Sequence, residues 1–351
     1  MGEWVGGVST AQDRPARRAP TLEVVAARAG VSRGTASRVL TGSPKVSPRA
    51  REAVLQAAAE LDYTPNRAAR SLVTRRSESI AFVVSEPEDR AFSDPFFVHL
   101  LRGTQAEVAR AGLQLVFIVA SGEEEARRLE RYAAGGHLDG VVLVSLHGRD
   151  RLPQRLEKLG VPVVLSGRPM VDDGLIHYVD ADNVGGSAAA VRVLLERGCR
   201  RVATVAGPQD MSAACDRLAG FRAALREAGR RPRGRDVVIG DFTHESGVEG
   251  MRRILAEVPD VDGVFAANDL MAAGAVQAIK DAGRRVPDDV AVVGFDDVPT
   301  ALIGPPALTT VRQPIVTMGG RMAQILLDRI EGRPVPRVVV VDIEVIRRDS
   351  A

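Results

Sequence analysis

Apolar positions over residues 21–61 recur at helical spacing, and beyond residue 79 they gather into short runs separated by longer amphipathic stretches. In the first region, LEVVAARAGVSRGTASRVL sets Leu22, Val25, Ala26, Ala29, Val31, Ala36, Val39 and Leu40 where two short helices can close on one core. Thr21 is placed to cap the first helix, Gly30 to close it, Ser32 to cap the second, and Ser47 followed by Pro48 to start a third. The Gly30-Val31-Ser32 turn supplies the sharp angle of a helix-turn-helix, because Gly accepts a positive φ and Ser can cap the second helix. The pattern predicts a small all-α unit over 20–64.

The later runs IAFVV, LQLVFIV, GVVLV, VPVVL, RVATVAG, GVFAAND and VAVVGFDD alternate with helical segments such as 96–111 and 123–134. That rhythm is βαβ, which places strands in parallel sheets with helices on both faces. One sheet does not easily take so many strands, so two doubly wound parallel-sheet lobes are expected within 78–348. Lobe one is assigned about 78–178 and 313–337, and lobe two about 179–312 and 338–348. Ligands bind such sheets at the carboxyl ends of the strands, so a cleft between the lobes is the expected sensor site.

Composition supports a multi-unit globular chain: 351 residues, 45% hydrophobic and 26% charged. The overall charge of +2 is unevenly spread. Residues 1–76 hold 13 Arg or Lys against 6 Asp or Glu, leaving 34 against 39 for the rest, so a basic head sits on an acidic body. Residues 1–19 lack apolar periodicity and read as a flexible tail. They carry Arg14, Arg17 and Arg18 with no apolar run behind them, and no stretch approaches the length of a membrane span, so a cytoplasmic protein is expected. Cys199 and Cys215 read as reduced, packed thiols, and neither has a metal-ligand neighbour. No metal and no cofactor are expected.

The outward residues of the second helix, Arg33, Gly34, Thr35, Ser37 and Arg38, lie where such a helix meets base edges in a major groove. Arg can fork onto a guanine there. After the third helix comes LDYTPNRAARSLVTRRS, in which Pro65 ends one element, Asn66 can cap another, and a short helix carries Arg67 and Arg70 on one side and Ala69 and Leu72 near the other. A helix this short is unstable alone, which makes the segment over 65–77 a switchable element.

Taken in order, these motifs resemble the lactose-repressor (LacI) family, the head matching from Leu22 to about Ser77. The resemblance continues through DPFFVHLLRG, DNVGG, RLAGF, GDFTHESG, FAANDLMAAGA, VVGFDD and LTTVRQP, which occur in family order. It implies a periplasmic-binding-protein-like sensor behind the head, double-stranded operator DNA as partner, and a hinge whose leucine, here Leu72, enters the minor groove. The DNA-contacting set it implies is Thr21, Ser32, Arg33, Gly34, Thr35, Ser37, Arg38, Asn66, Arg67, Ala69, Arg70 and Leu72. The implied effector residues are Phe97, Arg217, Phe242, Asn268, Asp296 and Gln313, to which Arg168 is added. Chemically these suit a sugar: carboxylate and amide groups pair hydroxyls, Arg forks across two oxygens, and Phe covers an apolar ring face.

Three departures alter the expectation. Val24 stands where relatives often have an acid, and Gly34 stands where they bear a base-reading side chain, so Arg33 is expected to carry more of the specificity. Gly167 precedes Arg168 where relatives carry an acid, which points to a more positive wall and a phosphorylated, acidic or smaller effector. The chain ends at EVIRRDSA without a leucine heptad helix, so a homodimer on a near-palindromic operator is expected. Release of DNA by the effector is favoured over a co-repressor, because sugar-type effectors act that way in the family.

Two other classes compete. For an enzyme, the sequence offers no Walker loop, no GxGxxG after a strand, no GxSxG elbow and no HExxH; His99, His137, His147, His177 and His244 are scattered. A free solute-binding protein would carry an export signal and no DNA reader.

Overall fold

The computed structural model describes residues 20–40, 42–63 and 76–351. The tail over 1–19 and the hinge residues Asn66, Arg67, Ala69, Arg70 and Leu72 lie outside them. The chain divides into two compact units, 1–75 and 76–351.

The first unit holds α1 (Leu22–Arg28), α2 (Arg33–Leu40) and α3 (Pro48–Glu60). Val25, Ala36 and Val54, one from each helix, are fully buried, and Ala26, Val39, Ala57 and Ala58 complete the centre of the core. Gly30 adopts φ +66°, and the Val31 N–H reaches back to the Ala26 carbonyl at 3.0 Å, closing the turn between α1 and α2. Ser32 Oγ accepts the Thr35 N–H at 3.1 Å, and Ser47 Oγ accepts that of Ala50 at 3.3 Å with Pro48 at the first helical position, as expected of both caps. Thr21 differs: it occupies the N-cap position of α1 but makes no side-chain cap bond. Its hydroxyl bonds the Glu23 carboxylate instead.

The second unit contains two six-stranded sheets. In chain order its elements are β1 (Ser79–Val84), α4 (Glu88–Ser93), α5 (Pro95–Arg110), β2 (Gln114–Val119), α6 (Glu123–Ala134), β3 (Gly140–Val144), α7 (Leu152–Lys158), β4 (Val163–Ser166) and β5 (His177–Ala181). Next come α8 (Asn183–Glu196), β6 (Val202–Ala206), α9 (Ser212–Glu227), β7 (Val237–Ile239), α10 (His244–Glu257), β8 (Gly263–Ala266), α11 (Asp269–Asp281), β9 (Ala291–Asp296), β10 (Thr309–Arg312), α12 (Ile315–Ile330), β11 (Val338–Val341) and β12 (Glu344–Ile346).

The first sheet runs β11-β5-β4-β3-β1-β2, all parallel. The second runs β12-β10-β9-β8-β6-β7, parallel except for β10 against β12. Central strands β1 and β3 are apolar on both faces and almost wholly buried, as helices on each side of a parallel sheet require.

The crossovers fall later than the sequence boundaries. β5 belongs to the first sheet as far as Ala181, and Val338–Val341 pairs with it there, so 179–181 and 338–341 are first-lobe residues. The reason is pairing: β5 reads as an interlobe passage by pattern, but its backbone has β4 on one side and β11 on the other. The return at Gln313 comes after β10, which closes on β9 of the second sheet.

Strand order reverses between β1 and β3 in one lobe and between β6 and β8 in the other, and at such points loops leave in opposite directions and open a crevice. The loops after β1 and β3 carry Glu86, Ser145 and His147; those after β6 and β8 carry Asp210 and Asn268. No helix among the described residues is long and apolar enough to cross a membrane.

Candidate functional site: an exposed reading helix and an interlobe cleft

On the head, Arg33, Gly34 and Arg38 are exposed and Thr35 and Ser37 partly so, all on α2. Arg33, Gly34, Ser37 and Arg38 share one side of the helix because positions four apart lie on one face. Gly34 leaves that side bare, and a Cβ there would meet only Ser32 Oγ, at 4.0 Å. Arg33 Nε is 2.9 Å from Glu23 of α1, and Arg38 Nε donates to the Gly34 carbonyl at 3.1 Å. Ser32 is committed to its cap and to the Thr35 hydroxyl at 2.9 Å.

The cleft between the lobes has Phe97, Arg217, Phe242, Asn268, Asp296 and Gln313 on its walls, so six of the seven effector residues named from sequence come together from six separate elements or loops. Arg217, on the inner face of α9, is only 5% exposed. Its Nε donates to Asn183 Oδ1 at 2.9 Å, a terminal nitrogen donates to the Ala267 carbonyl at 2.5 Å, and another lies 3.3 Å from Asp296. The guanidinium also stacks over Phe295, 3.8 Å from the ring centroid. Each of the three nitrogens of this buried Arg thus has one partner within the protein, out of five N–H donors in all.

Asp296 terminates β9 and accepts the Gln313 side-chain N–H at 2.6 Å. Burial pushes its carboxyl up to about 6; Arg217 restrains that rise and the charge on Asp94 adds to it. Asn268 caps α11 by accepting the Met271 N–H at 2.9 Å and donates to the Phe242 carbonyl at 2.8 Å, so its side chain builds the wall as well as lining it. Ser145, Phe242 and Asp296, all cleft residues, adopt positive φ of 63°, 71° and 110°. Non-glycine residues seldom hold that conformation, and its concentration here marks backbone bent to aim side chains.

Arg168 is the exception, and with it the expected positive wall. Its guanidinium, 41% exposed, is not on the cleft surface; one terminal nitrogen donates to both carboxylate oxygens of Asp216 of α9, at 2.8 and 2.9 Å. The Ser212 hydroxyl donates to the Arg168 carbonyl alongside. Arg168 is therefore a clasp between lobes, its charge met by a carboxylate, and Gly167 beside it takes φ +84°, a conformation that favours Gly over an acid.

Other cleft groups escaped sequence reasoning: Arg90, Asp94, Asp180 and Asn183. Asp94 caps α5 through the Phe96 N–H at 2.9 Å, and burial raises its pKa; only its place before Pro95 signalled the cap. Asp180 accepts the Asn183 amide at 3.0 Å, and burial raises its pKa too. At the mouth, His147 Nε2 is 3.0 Å from Glu86 and Nδ1 is 3.0 Å from Asp210. Neither contact joins near neighbours in sequence, so no spacing could have shown them. Arg90 belongs to the same mouth, bonded to Glu86 at 2.8 Å. Among the described residues no cluster of His, Cys, Asp and Glu could hold a metal ion. Both cysteines are free thiols.

The profile of bacterial regulatory proteins of the lacI family matches residues 21–66, and that of a periplasmic binding protein-like domain matches 191–351. The HTH-type transcriptional regulator CelR of Thermobifida fusca is 49% identical over 336 residues, covering 95% of this chain and 99% of its own. The HTH-type transcriptional repressor CytR of Escherichia coli K12 is 32% identical, covering 90% and 92%. Among solved structures, a complex of the regulator CelR with cellobiose superposes with a TM-score of 0.76 at 47% identity, covering 95% of this chain and all of that one. A Lac repressor dimer bound to operator and an anti-inducer gives 0.82 at 27% identity, covering 95% and 99%.

Proposed function

The chain belongs to the LacI family of bacterial regulatory proteins, and on that premise we propose that it is a dimeric repressor released from a near-palindromic operator by a neutral sugar. Its relatives are DNA-binding transcriptional regulators rather than enzymes. The observation that carries the effector reading is the cleft: Phe97 and Phe242 offer apolar faces, while Arg217, Asp296 and Gln313 converge as donors and acceptors for hydroxyls. With Arg168 neutralised by Asp216, the cleft carries Asp94, Asp180 and Asp296 against Arg90 and Arg217, a balance that suits hydroxyls better than a phosphate. The CelR structure holds cellobiose, and at 47% identity that disaccharide is the first effector to try.

The head supplies the other half. Arg33 and Arg38 on the open side of α2 meet base edges, the two copies in a dimer read inverted half-sites, and the effector shifts the lobes so that the hinge pair with Leu72 leaves the minor groove.

Selection of bound fragments from a random duplex library, repeated with cellobiose at a fixed salt concentration, tests this. A recovered inverted repeat whose binding falls on adding cellobiose is the expected result. Binding that appears only with the sugar would reverse the sign to co-repression, and recovery of no site would overturn the DNA reading.

A further inference from the structure

Arg90 lines both the inner cleft and a second, wider pocket, the vestibule, and we propose that Arg90 contacts the effector directly and selects a ligand of more than one sugar unit. The first unit lies against Phe97 and Phe242, and the next passes Arg90 into the vestibule. This rests on the sugar-effector reading above and deepens it.

The space open to the centre of a water molecule is about 80 Å³ in the inner cleft and about 670 Å³ in the vestibule. By the same measure the inner cleft is the tighter space and the vestibule the roomier one. A ligand that outgrows the inner cleft has room in the vestibule, and Arg90 is the charged residue lining both spaces.

Arg90 is held for that position. Its guanidinium carbon is 5.9 Å from the Phe97 centroid and 5.3 Å from that of Phe242, so it bridges an aromatic ring of each lobe. One terminal nitrogen pairs with Glu86, which is 3% exposed and is itself engaged by Ser145 and His147, so the head group cannot turn freely. Its Nε–H is buried and has no partner. An unmet buried donor costs about 1–3 kcal/mol, and an oxygen of the second unit or of the link between the two, brought past Arg90, removes that cost. Beyond Arg90 the vestibule is lined by Asp89, Asp150, Asp241 and Glu245, acceptors for the hydroxyls of a neutral second unit and repulsive to an anionic one.

Calorimetry on the full chain with glucose and with cellobiose, for wild type and Arg90→Lys, provides the test. Lys keeps the charge beside Glu86 but lacks the planar fork and the Nε–H. The expected result is that wild type binds cellobiose more tightly than glucose, and that Arg90→Lys loses about ten- to a hundredfold in cellobiose affinity with a smaller loss for glucose and a ligand-free melting temperature no lower than that of wild type. Equal binding of cellobiose by both proteins, or equal proportional losses for both sugars, would overturn the proposal. If the variant does not fold, a crystal structure of the wild-type chain with cellobiose decides. Nε within hydrogen-bond reach of a sugar oxygen, with one ring past it, supports the assignment; both rings inside the cleft overturns it. Wild type binding neither sugar would sink the sugar-effector reading itself, and this inference with it.

Discussion

His147 Nδ1 lies 3.0 Å from Asp210 Oδ2, joining the loop after β3 of one lobe to the loop after β6 of the other. The opposite ring nitrogen is held by Glu86, which also carries Arg90. Bonding to Glu86, and then the charges of Glu86 and the bond to Asp210, raise the His147 pKa above its ordinary 6.5 in spite of burial. The imidazolium is thus favoured, so the pairing contributes fully below the ordinary value and fades as pH climbs through the raised one. Sugar dissociation from the wild type should accelerate as pH climbs above the ordinary histidine value of 6.5, and His147→Gln should flatten that slope. Stopped-flow release of cellobiose measures it, and parallel slopes in the two proteins would remove the latch.

Replacing Arg217 by Met leaves Asp296, Asn183 and the Ala267 carbonyl without their shared donor. Breaking a buried pair from one side costs about 3–5 kcal/mol. The Asp296 carboxyl, already raised to about 6, rises further without its cation, and a protonated acid has no need of one. The deficit should therefore be larger at about pH 8 than at about pH 5. Thermal unfolding of both proteins at the two pH values checks this; a deficit independent of pH would mean Asp296 is not the group left stranded.

Gly103 and Gly319 let α5 and α12 touch backbone to backbone. A Cβ on Gly103 would stand 1.9 Å from the Val316 carbonyl oxygen, and one on Gly319 2.1 Å from that of Leu100. Gly103→Ala must push the helices apart and strain the wall that carries Phe97, at a cost of about 1–3 kcal/mol. Urea unfolding reads the loss, and wild-type stability in the variant would show that the contact yields freely.

On the head, Glu23 holds Arg33 at 2.9 Å on an exposed face, and under the proposed DNA reading it competes with the operator for that guanidinium. Glu23→Gln should raise operator affinity a few fold by freeing the guanidinium and removing a negative charge, whereas Arg33→Ala should relax specificity at one base pair by about 1–3 kcal/mol. Fluorescence anisotropy on the selected operator and its single-base variants distinguishes these. Loss of affinity uniform across all sequences on Arg33→Ala would make Arg33 a phosphate contact instead.

Local chemistry carried much of the architecture. Helical spacing and the Gly30, Ser32 and Ser47 signals sufficed for the head, because turn and cap energetics act within a few residues. Apolar runs sufficed for the doubly wound strands, since strands covered on both faces have little choice of residue. The lobe boundary at β5 is misplaced by pattern because membership of a sheet is decided by partners remote in the chain, here β4 and β11.

The sequence by itself, through motifs that resemble those of the LacI family, determined which residues could serve: Phe97, Arg217, Phe242, Asn268, Asp296 and Gln313, which meet at the cleft. Only the tertiary structure decided what each is free to do. Arg168 reads as a ligand contact along the chain but is occupied by Asp216, 48 residues away. Arg90 gave no signal along the chain, yet its Nε ends buried between aromatic rings from two lobes. Whether a charge is spent or available depends on what other segments bring within about 4 Å of it, and no spacing along the chain records that distance.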